Sequence, residues 1–230
     1  MKIGIDARPL QNNNRFRGIG KYTESLLLAL ANKCRDDDVV FYLDRTLPMP
    51  IDVINKFSNY TVHYIGPHRV SGIKYIRAFA LPYRHIRPKP DEIDLLLQTD
   101  PWGGIPKAVP TVAVFHDLIP YLFKIEDIVK LNGTAAIKNR LAKRVASHNY
   151  MAMLASYKNA AHIISVSQSS KNDYVRYLDS HPKNNISVIL EAPIGGSNNI
   201  KKSYDIYNNL GLKGKRYILY VGGIDLSLIH

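Results

Sequence analysis

The sequence predicts an α/β protein built on a doubly wound parallel sheet. Two observations carry that prediction. Short apolar runs recur along the chain, and Val112-Ala113-Val114-Phe115 and Ile163-Ile164-Ser165-Val166 lack polar alternation, as strands buried on both faces require. Helical patterns separate those runs, and alternation of strand and helix builds a parallel sheet rather than a hairpin meander.

In order, strands are expected at residues 2–5, 39–43, 61–64, 95–97, 111–115, 162–166, 186–190 and 217–221. Helices are expected at 22–32, where Leu26, Leu27, Leu30 and Ala31 form an apolar stripe, and at 73–83, 134–158 and 167–177. Pro48-Met49-Pro50 and Arg87-Pro88-Lys89-Pro90 mark loops, because proline lacks a backbone donor and breaks a helix interior. Pro193 and Gly195-Gly196-Ser197-Asn198-Asn199 make a polar break after the seventh strand. A short helix at 201–210 and a turn at 211–215 then lead to 217–221, which runs into Gly222-Gly223. A strand entering such a turn opens a further strand–helix unit, which is not completed before His230.

With 230 residues the chain can bury one good core and begin a second domain. Its longest apolar run, 26–31, is far short of the ~20 residues a membrane span needs. The first strand follows Met1 without a secretory leader, and Cys34 is the single cysteine. A cytoplasmic protein without a disulfide framework is therefore expected. The net charge of +12 is unevenly spread, with no acid at 53–90 or 128–172. Such surfaces attract polyanions: nucleic acid, anionic lipid or phosphorylated small molecules. Lys74, Arg77, Arg84, His85, Arg87 and Lys89, interleaved with Tyr75, Phe79 and Tyr83, suit an anionic lipid surface. They equally suit single-stranded nucleic acid, or a solvated basic helix packed by its aromatics.

The stretch Arg17-Gly18-Ile19-Gly20-Lys21-Tyr22-Thr23 stands where a polar loop opens the first helix. Amides at a helix start are unpaired and carry partial positive charge, so they suit an anion, and Arg17 and Lys21 add mobile charge. The plainer alternative is that both glycines permit positive backbone angles in a tight loop. A dinucleotide fingerprint would need a third glycine where Thr23 stands, and a Walker loop would need Gly-Lys-Ser/Thr.

Ligands of an open parallel sheet bind outside the carboxyl ends of its strands. That rule selects Asp6 and Arg8, then Gln98, Thr99 and Asp100, then His116 and Asp117, then Ser167. His116 follows an apolar strand and stands beside an acid, where an imidazole can donate to a sugar hydroxyl or a phosphate. Alternatively it is satisfied by local backbone, with Asp117 capping Leu118-Ile119-Pro120. Ser167 and Ser170 read as helix caps, and the histidines lack metal-ligand spacing.

Five stretches share one order with a known family: Gly4-Ile5-Asp6-Ala7-Arg8-Pro9-Leu10, the 17–23 stretch, His116-Asp117-Leu118-Ile119-Pro120, Ile164-Ser165-Val166-Ser167-Gln168-Ser169-Ser170-Lys171, and Tyr217-Ile218-Leu219-Tyr220-Val221-Gly222-Gly223-Ile224-Asp225. Together they resemble the retaining GT-B glycosyltransferases of family 4, the mannosyltransferase-like group 1 enzymes. The resemblance implies two Rossmann-like domains facing a cleft, the first holding the acceptor and the second a nucleotide-sugar donor. It implies hexosyl transfer to a polysaccharide or lipid-linked acceptor without a metal cofactor, the leaving diphosphate helping to deprotonate the acceptor. It places Gly18 and Gly20 near the donor diphosphate, with Arg17 and Lys21 as charge stabilisers. His116 would meet the transferring sugar, Asp117 orient its loop, and Asp6 shape the cleft. Nucleic acid is not an expected partner, and a peripheral contact with the inner membrane face is. After Gly-Gly-Ile-Asp the family continues with a phosphate-gripping basic residue and then paired glutamates, whereas here Leu226-Ser227-Leu228-Ile229-His230 follows. The expectation is an acceptor-side domain at 1–195, a linker at 196–215, and at 216–230 the first strand of an absent donor-binding domain. A fragment, a frameshifted product or half of a split enzyme would each have that form, and the alternatives to an enzyme half are a non-catalytic basic module binding anionic membrane or nucleic acid, or an inactive truncated remnant.

Overall fold

The computed structural model describes residues 1–11, 13–16, 18–65, 88–89, 91–100, 104–122, 147–148, 150–180, 182, 185–191, 210–212 and 214–216. The chain divides into two compact units, Met1–Glu191 and Ala192–His230. In the second unit the residues described form the turn expected at 211–215: Gly211 and Gly214 take φ of 61° and 74°, and Lys215 N–H donates to Leu212 O at 3.0 Å.

The first unit is a seven-stranded sheet in which every pairing is parallel. Its strands are β1 (Lys2–Asp6), β2 (Asp38–Asp44), β3 (Tyr60–Ile65), β4 (Leu95–Gln98), β5 (Thr111–Phe115), β6 (His162–Ser165) and β7 (Asn185–Val188). These are the first seven strands expected from the sequence, shifted by a residue or two at their ends. The eighth, 217–221, and the helix expected at 73–83 lie outside the described residues. The strand order is β3-β2-β1-β4-β5-β6-β7, a Rossmann-like doubly wound sheet.

Both faces are buried. On one, Ile3, Ile5, Phe41, Leu43 and Leu97 receive Leu27 and Ala31 of α1 (Gly18–Ala31) and Ile54 of the short helix α2 (Ile51–Ile54). On the other, Ala113, Phe115 and Ile163 receive Tyr150, Leu154, Tyr157 and Tyr174. Tyr150 and Leu154 belong to a helical run at 150–156, the described end of the helix expected at 134–158. Tyr174 belongs to α4 (Gln168–Tyr177), which follows α3 (Ile119–Leu122) in the chain. Gly4 leaves room for this second face: a Cβ there would lie 2.5 Å from Ile93 Cδ1 and 3.0 Å from Tyr42 Cε2.

Two features differ from the sequence expectation. The helix α1 begins at Gly18, four residues earlier than expected, so Gly18 and Gly20 are its first turn and not a loop. Neither glycine is among those with positive φ, which overturns the tight-loop alternative. The long polar loop expected before α1 also differs: its described residues form two 3-10 turns, Arg8–Leu10 and Asn13–Phe16, too short to leave a periodic pattern. The Gln11 side chain staples the first of these to the chain after β2. Its Nε2 donates toward Asp44 O at 3.1 Å and Pro48 O at 3.1 Å, and its Oε1 accepts from Asp44 N at 2.7 Å.

The aromatic centre of the second face anchors the strand that carries His116. Phe115 meets Tyr157 edge-on at 5.4 Å and Tyr174 at 5.2 Å, and Tyr157 Oη donates to Val114 O at 2.8 Å. Phe115→Ala is expected to cost about 3–5 kcal/mol in urea unfolding with the denaturant slope unchanged. A loss below about 1 kcal/mol would show that this cluster is not the core it looks to be.

Candidate functional site

Parallel pairing sends all seven carboxyl ends to one edge. Between β1 and β4 the strand order reverses, and open parallel sheets bind ligands in the crevice at such a switch point. The residues leaving β1 and β4 lie beneath it, Asp6, Ala7 and Arg8 on one side and Gln98, Thr99 and Asp100 on the other, all buried.

Asp6 and Arg8 pair with each other. Arg8 Nε donates to Asp6 Oδ1 at 2.8 Å and Nη2 to Oδ2 at 2.7 Å, the forked geometry that guanidinium and carboxylate planes favour. Side-chain exposures of 3% and 2% make this a buried ion pair beneath the switch point. Across the switch point Gln98 Nε2 donates to Gly104 O at 2.8 Å, while its buried Oε1 has no hydrogen-bond partner among the described residues.

Helix α1 joins the crevice through its second turn. The Thr23 hydroxyl lies 2.7 Å from that of Thr99 and 2.8 Å from Ile19 O, so it donates to the carbonyl and accepts from Thr99. One residue earlier, the Tyr22 ring packs edge-on against His116, centroids 5.2 Å apart. The glycine stretch and the histidine, ninety-odd residues apart in sequence, therefore share one edge. Gly18 is exposed and Gly20 buried. As the first helical turn they leave amides without partners inside the helix, which is the anion-binding geometry of a helix start. Lys21 Nζ bonds Glu24 Oε2 at 2.7 Å, and Arg15 also contacts Glu24 and Asp52. Lys21, helped by Arg15, holds the Glu24 carboxyl below its ordinary range. Arg17 lies outside the described residues, as does the basic segment at 74–87.

His116 is held from three sides. Its Nε2 donates to Thr99 O at 2.9 Å, since a carbonyl can only accept. Its own carbonyl accepts from Ser170 Oγ at 2.6 Å, and Tyr22 covers the ring edge. Nδ1 faces Glu191 Oε1 at 3.6 Å, an ion-pair distance rather than a hydrogen bond. The His116 side chain is 9% exposed and that of Glu191 50%. Proximity to His116 holds the Glu191 carboxyl below its ordinary range, against burial, which pushes the other way. The Tyr22 hydroxyl is pushed up, first by burial and then by the Glu191 charge.

Asp117 does what a cap does: its Oδ1 accepts from Ile119 N at 2.8 Å at the start of α3, fixing the loop that leaves His116. Of the two serines read as caps, Ser167 is the N-cap of α4, accepting from Ser170 N at 3.0 Å. Ser170 stands in the first turn instead and serves the His116 carbonyl. Glu191 escaped the sequence reading, although it is the first residue past the expected seventh strand and the carboxyl-edge rule selects it too. Among the described residues no cluster of three His, Cys, Asp or Glu side chains can hold a metal ion. No helix among them is long and apolar enough to cross a membrane.

No family model matches the sequence, and no curated protein matches it. Among solved structures the chain is similar to a UDP-glucose: anthocyanidin 3-O-glucosyltransferase in complex with UDP, at 11% identity and a TM-score of 0.43. The match covers 84% of this chain and 53% of that one, so the chain spans about half the length of the structure it matches.

The floor of the crevice makes a stability prediction. Asp6→Ala removes the carboxylate from the buried Arg8 guanidinium and is expected to cost about 3–5 kcal/mol. Replacing both together, Asp6→Leu with Arg8→Met, is expected to cost clearly less, because both charges leave the interior. Chemical denaturation of the two variants checks this. Equal losses would mean that the pair is not coupled.

Proposed function

We propose that residues 1–195 are the acceptor-side domain of a retaining glycosyltransferase, with 196–215 as linker and 216–230 as the first strand of a donor-binding domain. The reaction moves a hexose from a nucleotide-sugar to a polysaccharide or lipid-linked acceptor. The observation that carries the reading is the convergence at the switch point of the first turns of α1, the crevice floor and a rigidly held His116. A helix start suited to an anion and a polar cluster suited to sugar hydroxyls thereby share one edge.

In this reading the diphosphate of the donor lies against the amides of Gly18, Ile19 and Gly20. Arg17 and Lys21 meet the negative charge that grows as the glycosidic bond breaks. Lys21 leaves Glu24 to do so, and Arg15 remains beside the Glu24 carboxylate. The transferring sugar, which develops oxocarbenium character, faces the cluster of His116 and Glu191. Asp117 keeps the His116 loop in place. No metal is assigned a role. The cationic groups on the far side of the diphosphate come from the donor-binding domain. The basic segment at 74–89 gives the protein its contact with an anionic membrane surface.

The test is a transfer assay with a panel of nucleotide-sugars, using the full chain alone and with the donor-binding domain of a related enzyme added in trans. No turnover is expected from the chain alone, and activity is expected with the added domain. His116→Ala should then lower the turnover of the protein that stays folded by about 10²-fold or more, the usual cost of losing one preorganised polar group. Turnover without the added domain would overturn the reading. So would a His116→Ala variant that melts lower yet keeps its turnover.

A further inference from the structure

Resting on that reading, we propose that the group of this cluster that touches the sugar is Glu191. Its carboxylate takes two adjacent hydroxyls of a neutral sugar, and His116 acts on it as a positioning residue.

The geometry points there because Nε2 of His116 is taken by backbone and Nδ1 is turned toward Glu191. Nε2 carries its proton to Thr99 O, and Nδ1 faces Glu191 Oε1. Tyr22 covers the ring edge, and little of the side chain reaches solvent. A ligand approaching this edge therefore meets the half-exposed carboxylate, whose only polar side-chain partner among the described residues is His116. The low proton affinity that His116 confers keeps that carboxylate ionised, and an ionised carboxylate only accepts hydrogen bonds. Two adjacent hydroxyls supply two donors at the right separation, and charge-assisted O–H···O⁻ bonds are short and strong. A phosphate brought to the same spot is repelled. Anion and sugar are thus sorted to different parts of the edge, the anion to the first turn of α1 and the sugar to Glu191.

The placement is built by the backbone. Two strand spacings, about 10 Å, separate β7 from β5. Ile189 N–H donates to Ser165 O at 3.0 Å, which continues the β6–β7 ladder past Val188, and Glu191 two residues on reaches His116 Nδ1 at 3.6 Å. Ser170 and Thr99 then fix His116 from opposite sides, the support a positioning residue needs.

The experiment is an amide NMR titration of the full chain with the methyl glycosides of glucose, mannose and galactose, and separately with inorganic pyrophosphate. At least one glycoside is expected to shift the amides of Tyr22, His116 and Glu191. Glu191→Gln should weaken that glycoside about tenfold or more, the worth of a hydrogen bond to a charged group, with no change in melting temperature. His116→Gln, whose amide can still donate toward the carboxylate, should retain more affinity than His116→Ala. Unchanged affinity in Glu191→Gln overturns the proposal. So does the absence of shifts with every glycoside, or pyrophosphate shifting these same amides more tightly than any glycoside. Glycoside binding that depends on Glu191, in a chain that shows no transfer even with the donor-binding domain added, would sink the glycosyltransferase reading and leave this one standing. Transfer that survives Glu191→Gln unchanged would do the reverse.

Discussion

Parallel pairing is the constraint from which the rest follows. A parallel sheet cannot be closed by hairpins, so each strand is followed by a crossover and both faces are covered. All seven strands then end on one edge, and each carboxyl end releases its next residues there. The core residues on the two faces do not themselves form the site. They hold the ends of β1, β4 and β5 in register, and the register brings Asp6, Gln98 and Thr99 to the edge beside Phe115 and His116.

Polar groups at that edge are costly to bury, and the structure meets the cost locally. Asp6 and Arg8 neutralise each other in a forked pair. Thr23 and Thr99 exchange a hydroxyl bond, and Ser170 and Thr99 serve the two polar ends of His116. Each partner comes from a different element, so the edge ties the sheet to α1 and α4. Such sharing makes the edge rigid, and rigidity is what a site needs in order to hold a ligand's atoms in one place.

Much of the fold was legible in the sequence. Seven strands, the capping role of Ser167 and the cap formed by Asp117 were all readable from short-range patterns. The start of α1 was not. Gly18 and Gly20 look like loop residues because glycine is a poor helix former, yet packing of Thr23, Leu27 and Ala31 against the sheet carries the helix back through them. The short helical turns at Arg8–Leu10 and Ile51–Ile54 were invisible because three or four residues leave no period to detect. His116 stood out by its place after an apolar strand. Glu191 did not, because nothing in the residues around it shows that its side chain reaches His116.

The sequence by itself determined the alternation of apolar strands with helices, and with it the sheet and the edge on which a ligand would lie. It did so because burial on both faces and helical periodicity are local properties, written in consecutive residues. Only the tertiary structure decided who meets whom on that edge: Tyr22 with His116, Thr23 with Thr99, His116 with Glu191. Those pairs span separations of 75 residues or more, and they depend on strand order and on the direction of the chain after each strand. Neither leaves a mark in the residues themselves, since a one-strand exchange would keep every local pattern and remake every contact at the site.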